Sequence, residues 1–467
     1  MRVNLAGFNV EKTILEKDSS LNSDQLTPEI ISAAYARISR STDSVEVLRK
    51  KAAENVRKAR RSNRNIVFEM GHSSIAEHAV FNLDVEGVSR LALEEIERHR
   101  LASYTEKSQR YVKVGSDYLI PEEWQTPALQ KKLEQLHQEC SDFYFELLDR
   151  KVPGEDARYY LPFTTTGQVG ITVNARSAEH MILAFAASPL AEMRRLGTTL
   201  LHVLQKVTPS LIRYVEPSIY NQREYSLGLY PAVIASGSSG KRVEGKNTIS
   251  NQNGTTATVR LHSFPEQGDD LILAIRKMRK EVISLEAAKK AVTAMNNAEK
   301  NTHYRNLFQN IKAWDSLPNE FEHLSFTWEI FLSGAAFAQL KRHRLAGMSF
   351  GPYQPTGGFT HPASIPGDLM DKADTLVAKS QSTAEKIASP AAVYALLSGF
   401  RRRIIWTVNL RELYHFSRLR QDVHAQWDIR LIADKIVNEV QEKLPLAGAL
   451  LGGKDSFTEI KKKVMQN

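Results

Sequence analysis

Arg98-His99-Arg100-Leu101-Ala102-Ser103 is followed closely by Glu106, Ser108, Arg110 and Tyr111. Arginine offers fixed bidentate forks to oxyanions, and hydroxyls fill the remaining lone pairs. The set therefore suits a multiply charged phosphate ligand. The same basic residues would also suit a helix C-terminus that complements its own dipole. Upstream, Val88, Leu91, Ala92 and Ile96 recur at helical spacing, so the motif ends an amphipathic helix. Downstream, Tyr111-Val112-Lys113-Val114 alternates like the start of a strand.

The stretch is not unique. Arg342-His343-Arg344-Leu345-Ala346 repeats its first five residues, and a repeat decides the whole architecture. Further matches keep their order. Glu77-His78 matches Glu322-His323, and Thr172-Val173-Asn174-Ala175-Arg176 matches Thr407-Val408-Asn409-Leu410-Arg411. His78 and Arg98 are 20 residues apart, and His323 and Arg342 are 19 apart. Val3, Leu5 and Phe8 recur as Val259, Leu261 and Phe264. The chain reads as two copies of one domain, 1–235 and 257–467. They are joined by a Ser-, Gly-, Asn- and Lys-rich linker over 236–256.

Periodicity supplies the elements that position these residues. Residues 2–10 read as an edge strand. Thr27-Pro28-Glu29 opens a helix with a Thr cap, and helical spacing returns over 45–59. Gly71 to His78 is a polar loop or helix start, and Phe81, Leu83 and Val85 alternate as a strand. A long helix spans 126–150. A turn at 156–162 leads to a strand at 169–174, and helices follow at 177–185 and 190–204.

Composition narrows the class. A chain of 467 residues with 42% hydrophobic and 25% charged residues is a soluble globular protein of more than one domain. No apolar run approaches membrane-spanning length, and Met1-Arg2-Val3-Asn4-Leu5-Ala6 lacks a signal-peptide core. The one cysteine, Cys140, forms no internal disulfide and reads as a packing residue, which fits a cytoplasmic location. The net charge of +9 is spread over short clusters such as Lys461-Lys462-Lys463, which read as solvated helix faces rather than a nucleic-acid surface.

Arg-His-Arg-x-x-Ser with Glu-x-Ser-x-Arg-Tyr stands at Arg98–Tyr111. Asn-x-Arg-Glu-Leu-Tyr-His-Phe-x-x-Leu-Arg, then His-Ala-Gln-Trp-Asp-Ile-Arg, stands at Asn409–Arg430. These resemble the two signatures of the flavin-dependent thymidylate synthases. The resemblance implies a mixed α/β fold, each copy a helix-covered mixed sheet, with the two copies packed as a pseudo-dimer. It implies FAD as cofactor, NADPH and methylenetetrahydrofolate as co-substrates, and reductive methylation of dUMP to dTMP without a cysteine nucleophile. It also implies a homodimer of two-domain chains that mimics the family tetramer. No metal is expected.

Carried over by residue, the resemblance makes Arg420 the catalytic group that ionises the uracil ring. It gives dUMP the residues Glu106, Ser108, Gln109, Arg110, Arg158, Gln339 and Arg342. It gives FAD Ser74, Arg98, His99, Arg100, Asn174, Arg176, His343, Arg344, Asn409, Arg411 and His415. Asn174 and Asn409, with Arg176 and Arg411, would equally serve to cap the helices that follow. His72 matches a histidine near folate and flavin, and its counterpart is Leu317.

The copies depart from the pattern in complementary ways. The first has Glu95 in place of a glutamine and Phe185 in place of the ionising arginine. The second keeps Gln339, Arg342 and Arg420 but has Phe350, Pro352 and Gln354 where Glu106, Ser108 and Arg110 stand, and Val393 for Arg158. One complete composite site and one dead one are expected. A related pyrimidine-nucleotide one-carbon transferase and a non-catalytic flavin- or nucleotide-binding relative are the alternatives.

Overall fold

A computed structural model describes residues 1–15, 23–224, 248–387 and 389–466. The chain divides into two compact units, Met1–Ile234 with Asp368–Leu397, and Ala235–Gly367 with Ser398–Asn467. Both are helix-and-sheet structures.

In the first unit, four strands run β1 (Arg2–Phe8), β2 (Val80–Ser89), β3 (Ala102–Glu106) and β4 (Thr166–Asn174), in the spatial order β1-β2-β4-β3 with antiparallel pairing. Alternation drives β2: Phe81, Leu83 and Val85 are buried and the residues between them are exposed. Helix α1 (Arg90–Glu97) continues β2 directly, because the Ser89 side chain accepts from the Ala92 amide and caps it. Helix α2 (Pro127–Asp149) starts on a Thr126 cap with proline in its first turn. Helices α3 (Ala175–Ala186) and α4 (Ala191–Gln205) follow β4.

Several expectations change here. The strand start expected at Tyr111–Val114 is not a strand; the edge strand is Ala102–Glu106 instead, paired with β4. The single helix expected over 45–59 is two, Val45–Glu54 and Val56–Arg64. The chain breaks at Asn55, whose side chain accepts from the Lys58 amide and caps the second helix. The second copy is also not one contiguous body. Its helix Met370–Ala384 lies against α2, with Lys372 paired to Glu146 and Lys379 to Glu139. Tyr394 donates to Glu192 at 2.6 Å, and Trp124 donates to the Ala391 carbonyl at 3.1 Å. Sequence similarity marks where a copy starts and ends, but not which core a segment packs into.

In the second unit, five strands run β5 (Thr248–Asn251), β6 (Gly254–Ser263), β7 (Ser325–Ser333), β8 (Gly347–Phe359) and β9 (Phe400–Asn409), ordered β5-β6-β7-β9-β8, again antiparallel. Residues 248–256, expected as linker, form the β5–β6 hairpin, while 236–247 lie outside the described residues. Trp328 and Trp406 face each other across β7 and β9 in a core closed by α5 (Gly334–Leu340), α6 (Leu410–Arg420) and α7 (Trp427–Lys443).

The two sheets explain the unequal spacing of the repeats. β7 pairs with β9 without interruption from Ser325 to Ser333, but β2 slips by one residue between Glu86 and Val88. Gly87, at φ 64°, is the extra residue of that bulge. The first copy is longer between His78 and Arg98 by this one position.

Candidate functional site

In the first unit, the chain leaves the sheet at Glu106 and turns through Ser108, whose hydroxyl accepts from the Arg110 amide at 3.1 Å. The Glu106 carboxylate meets Arg90 in a buried ion pair. Arg110 Nε donates to Glu155 at 2.7 Å. Arg158, 5% exposed, donates from Nε to the Glu155 carbonyl at 3.1 Å. Burial lowers the basicity of Arg158, and the nearby positive charges of Arg90 and Arg110 lower it further, against Tyr159 and Glu106. Arg90, Arg110 and Arg158 thus come together beside Glu106 and Glu155, and a group of guanidiniums is suited to an oxyanion. Arg90 and Glu155 complete the cluster but are invisible in a motif search. Arg90 sits inside an apolar stripe, and Glu155 lies three residues before Arg158.

The corresponding place in the second unit is filled with protein. After Gly347 the strand does not end; β8 runs on through Phe350, paired with Ile404, and Tyr353, paired with Arg402. Pro352 sits at a register shift, where a missing amide hydrogen is tolerated. Arg402, 1% exposed, donates to the Gly351 carbonyl at 2.7 and 3.0 Å. Its guanidinium carbon is 4.8, 4.3 and 4.5 Å from the rings of Phe337, Phe350 and Tyr353. Val393 is fully buried.

The Arg-His-Arg motifs end α1 and α5. Arg98 pairs with Glu95 at 3.5 Å, one helical turn back. His99 meets Phe185 edge to face at 5.4 Å. Loss of hydration, then the charges of Arg98 and His180, push its imidazole down to about 3. In the second unit Gln339 is buried and donates to Gln426 at 3.3 Å, and Arg342 is half-buried. His343 is 2% exposed, with Nδ1 3.1 Å from Glu412 and Nε2 accepting from Arg420 Nε at 3.1 Å. Burial holds the His343 imidazole well below its usual range, and Arg420 and His415 add to the effect. Burial raises the Glu412 carboxyl, opposed by His415. Among the described residues, His343, Glu412 and His415 bring ligand atoms within 4.8 Å of one another. Both His343 nitrogens are engaged, and one faces a guanidinium, which opposes a metal cation.

Asn174 accepts from the Ser177 amide at 2.8 Å and Asn409 from the Glu412 amide at 2.9 Å, so both cap the following helix. Arg176 pairs with Glu77 at 2.6 Å, and Arg411 pairs with Glu322. Two repeated motifs, Glu-His and Asn-x-Arg, are thus partners in each copy. Arg98, Arg100, Arg342 and Arg344 stay at least partly exposed and are of the right chemistry for a dinucleotide diphosphate. Ser74 and His72 are exposed on and beside the turn Ser73–His78, and Gln109 is half-buried beside Arg110. Cys140 is fully buried, which pushes its thiol up and makes it unreactive. No described helix is long and apolar enough to cross a membrane.

A family model described as thymidylate synthase complementing protein matches the chain over residues 21–210 and again over 265–446. A flavin-dependent thymidylate synthase of Geobacter sulfurreducens is 32% identical over 195 residues, 41% of this chain and 83% of that protein. One from Sulfurisphaera tokodaii is 36% identical over 153 residues, 32% of this chain; the chain spans 59% of that relative's length. Among solved structures, a UMP/dUMP methylase, PolB, from Streptomyces cacaoi bound with 5-Br dUMP has a TM-score of 0.36 at 18% identity, covering 45% of this chain and 92% of the other. The flavin-dependent thymidylate synthase of Helicobacter pylori complexed with FAD and dUMP has a TM-score of 0.34 at 19% identity, covering 46% and 100%. With two matches that together span most of its length, the chain belongs to the thymidylate synthase complementing protein family and carries that family's domain twice.

Proposed function

We propose that the protein methylates dUMP reductively to dTMP. The carbon comes from methylenetetrahydrofolate, both reducing equivalents come from NADPH, and one proton is taken up. The products are dTMP, tetrahydrofolate and NADP⁺. FAD, when bound, supplies the hydride and carbon relay, and the protein supplies orientation and electrostatics.

The first copy contributes Glu106, Ser108, Gln109, Arg110 and Arg158 to the nucleotide, and the second contributes Gln339, Arg342 and Arg420. Arg110 and Arg158 hold the phosphate. Arg420 keeps its positive charge beside the pyrimidine ring and stabilises the N3 anion, while the N3 proton leaves to water. Arg98, His99, Arg100, Arg176, His343, Arg344, Arg411 and His415, with Ser74, Asn174 and Asn409, face the flavin nucleotide. Two chains reconstitute a four-domain assembly.

One observation carries this reading: each copy lacks what the other holds. The first has an anion cluster of Arg90, Arg110 and Arg158 but Phe185 at the place of Arg420. The second has Arg420 but an aromatic cage around Arg402 in the region of the anion cluster.

The test is production of dTMP from dUMP, followed by product mass, with the chain carrying its flavin. Arg110→Ala and Arg420→Ala should each reduce turnover by about a hundredfold or more, as expected for a charge acting on the transition state or the phosphate. Full activity of Arg420→Ala overturns the assignment.

A further inference from the structure

Arg420 ends α6, on a flexible side chain that needs a second support to present its charge in one direction. That support is visible in the second unit. An arginine only donates, so the Arg420 Nε contact at 3.1 Å makes His343 Nε2 the nitrogen with the lone pair. The ring proton then resides on Nδ1, which faces Glu412 Oε1 at 3.1 Å. Glu412 belongs to the first turn of the same helix that Arg420 ends.

We propose that Glu412 and His343 are positioning residues for Arg420: the carboxylate fixes the imidazole tautomer, and the imidazole fixes the guanidinium. This rests on the role given to Arg420 above. The neutral imidazole adds no competing charge, so the full cation of Arg420 is directed at the ligand. The paired copy provides an internal comparison. His99 occupies the place of His343, Ser177 that of Glu412 and Phe185 that of Arg420. The copy without the arginine also lacks the carboxylate, yet it keeps its histidine, which packs edge to face on Phe185. A carboxylate needed only to hold such a histidine in the fold would be needed in both copies. It is present only where there is a guanidinium to orient.

The experiment uses the full chain with its flavin, dUMP for turnover and 5-bromo-dUMP as a probe. The bromine makes N3 more acidic, and N3 ionisation changes the ultraviolet spectrum of the ring, so the bound anion is read as a difference spectrum. Glu412→Leu should lower kcat and the anion signal about 10- to 100-fold, the range for a hydrogen bond that directs a charged group. The Kd for dUMP should move about threefold or less, because the phosphate is held elsewhere. Glu412→Gln retains an oxygen that accepts the Nδ1 proton and should recover most of the loss.

Should Glu412→Leu fail to fold, Glu412→Ser, which places at 412 the residue found at the matching position of the first copy, carries the same test against Glu412→Gln. Wild-type kcat and anion signal in Glu412→Leu overturn the proposal. So does equal damage from leucine and glutamine, or parallel loss of flavin and dUMP binding. If Arg420→Ala leaves both readouts intact, the assignment of Arg420 fails first. If Arg420→Ala abolishes them while Glu412→Leu does not, only the relay fails.

Discussion

Replacing Arg158 by methionine should weaken dUMP binding more than it weakens the fold. Arg158 is 5% exposed, and the charges of Arg90 and Arg110 reinforce the cost of burying its own. In the ligand-free protein, methionine relieves repulsion from Arg90 and Arg110 but gives up the attraction of Glu106 and the hydrogen bonds of the guanidinium, among them that from Nε to the Glu155 carbonyl. The lost hydrogen bonds and the relieved repulsion oppose each other, so the ligand-free change should stay below about 2 kcal/mol.

With a phosphate dianion present the balance reverses. A unit charge pair about 4 Å apart in an effective dielectric of about 20 gains about 4 kcal/mol before desolvation. The net value of a hydrogen bond to a charged group is about 1.5–3 kcal/mol, about 10- to 150-fold in Kd. Calorimetry with dUMP and with deoxyuridine separates the phosphate from the rest of the nucleotide, since only dUMP should lose affinity. Thermal melting gives a second readout. A ligand at about 100 times its Kd stabilises by about 2.7 kcal/mol, and a thirtyfold weaker Kd cuts this to about 0.9 kcal/mol. Equal losses for dUMP and deoxyuridine, or a ligand-free loss above about 2 kcal/mol, would refute the phosphate role and make Arg158 a structural cation.

Two further outcomes follow from buried groups in the first unit. His137 is 2% exposed, stacked on Tyr118 at 4.3 Å, with Nε2 3.2 Å from the Ser116 carbonyl, and burial pushes its imidazole from 6.5 down to about 4. The folded state favours the neutral ring, so its stabilising effect is complete above pH 6.5 and is lost as pH falls from 6.5 towards 4, about 3 kcal/mol in all. Melting curves at a series of pH values should show this slope, and His137→Gln should flatten it; an unchanged slope would assign acid sensitivity elsewhere. Phe185, 2% exposed, holds the place of the missing arginine, so Phe185→Leu should cost about 1–3 kcal/mol in melting, as a core truncation, and leave dUMP turnover within about twofold. A tenfold fall in turnover would put Phe185 in the working site and undo the division between copies.

The repeat was legible because Arg-His-Arg-Leu-Ala survives unchanged in both copies, and the long helix at 126–150 because its cap and first-turn proline stand in plain order. The hairpin at 248–263 was legible in principle. Asn253-Gly254 is a turn signal, and Gly254 has φ 113°, but polar flanking residues hid the alternation. Other features arise only when distant segments meet. Glu77 finds Arg176 and Glu322 finds Arg411 across turns that no local pattern describes. The His343 tautomer likewise depends on two partners far along the chain.

The divergence of the copies is where sequence and structure explain each other. Loss of Glu, Ser and Arg from the second copy's motif, read alone, resembles decay. In the structure the same positions carry a longer β8, and Arg402, whose counterpart in the first copy is Gly167, lies among Phe337, Phe350 and Tyr353. Decay leaves cavities and unpaired groups, which cost stability. Here strand pairing, three aromatic rings and two hydrogen bonds to Gly351 occupy the place instead. Where the first copy has its arginine cluster the second has packing, and where the second has Arg420 and Glu412 the first has Phe185 and Ser177.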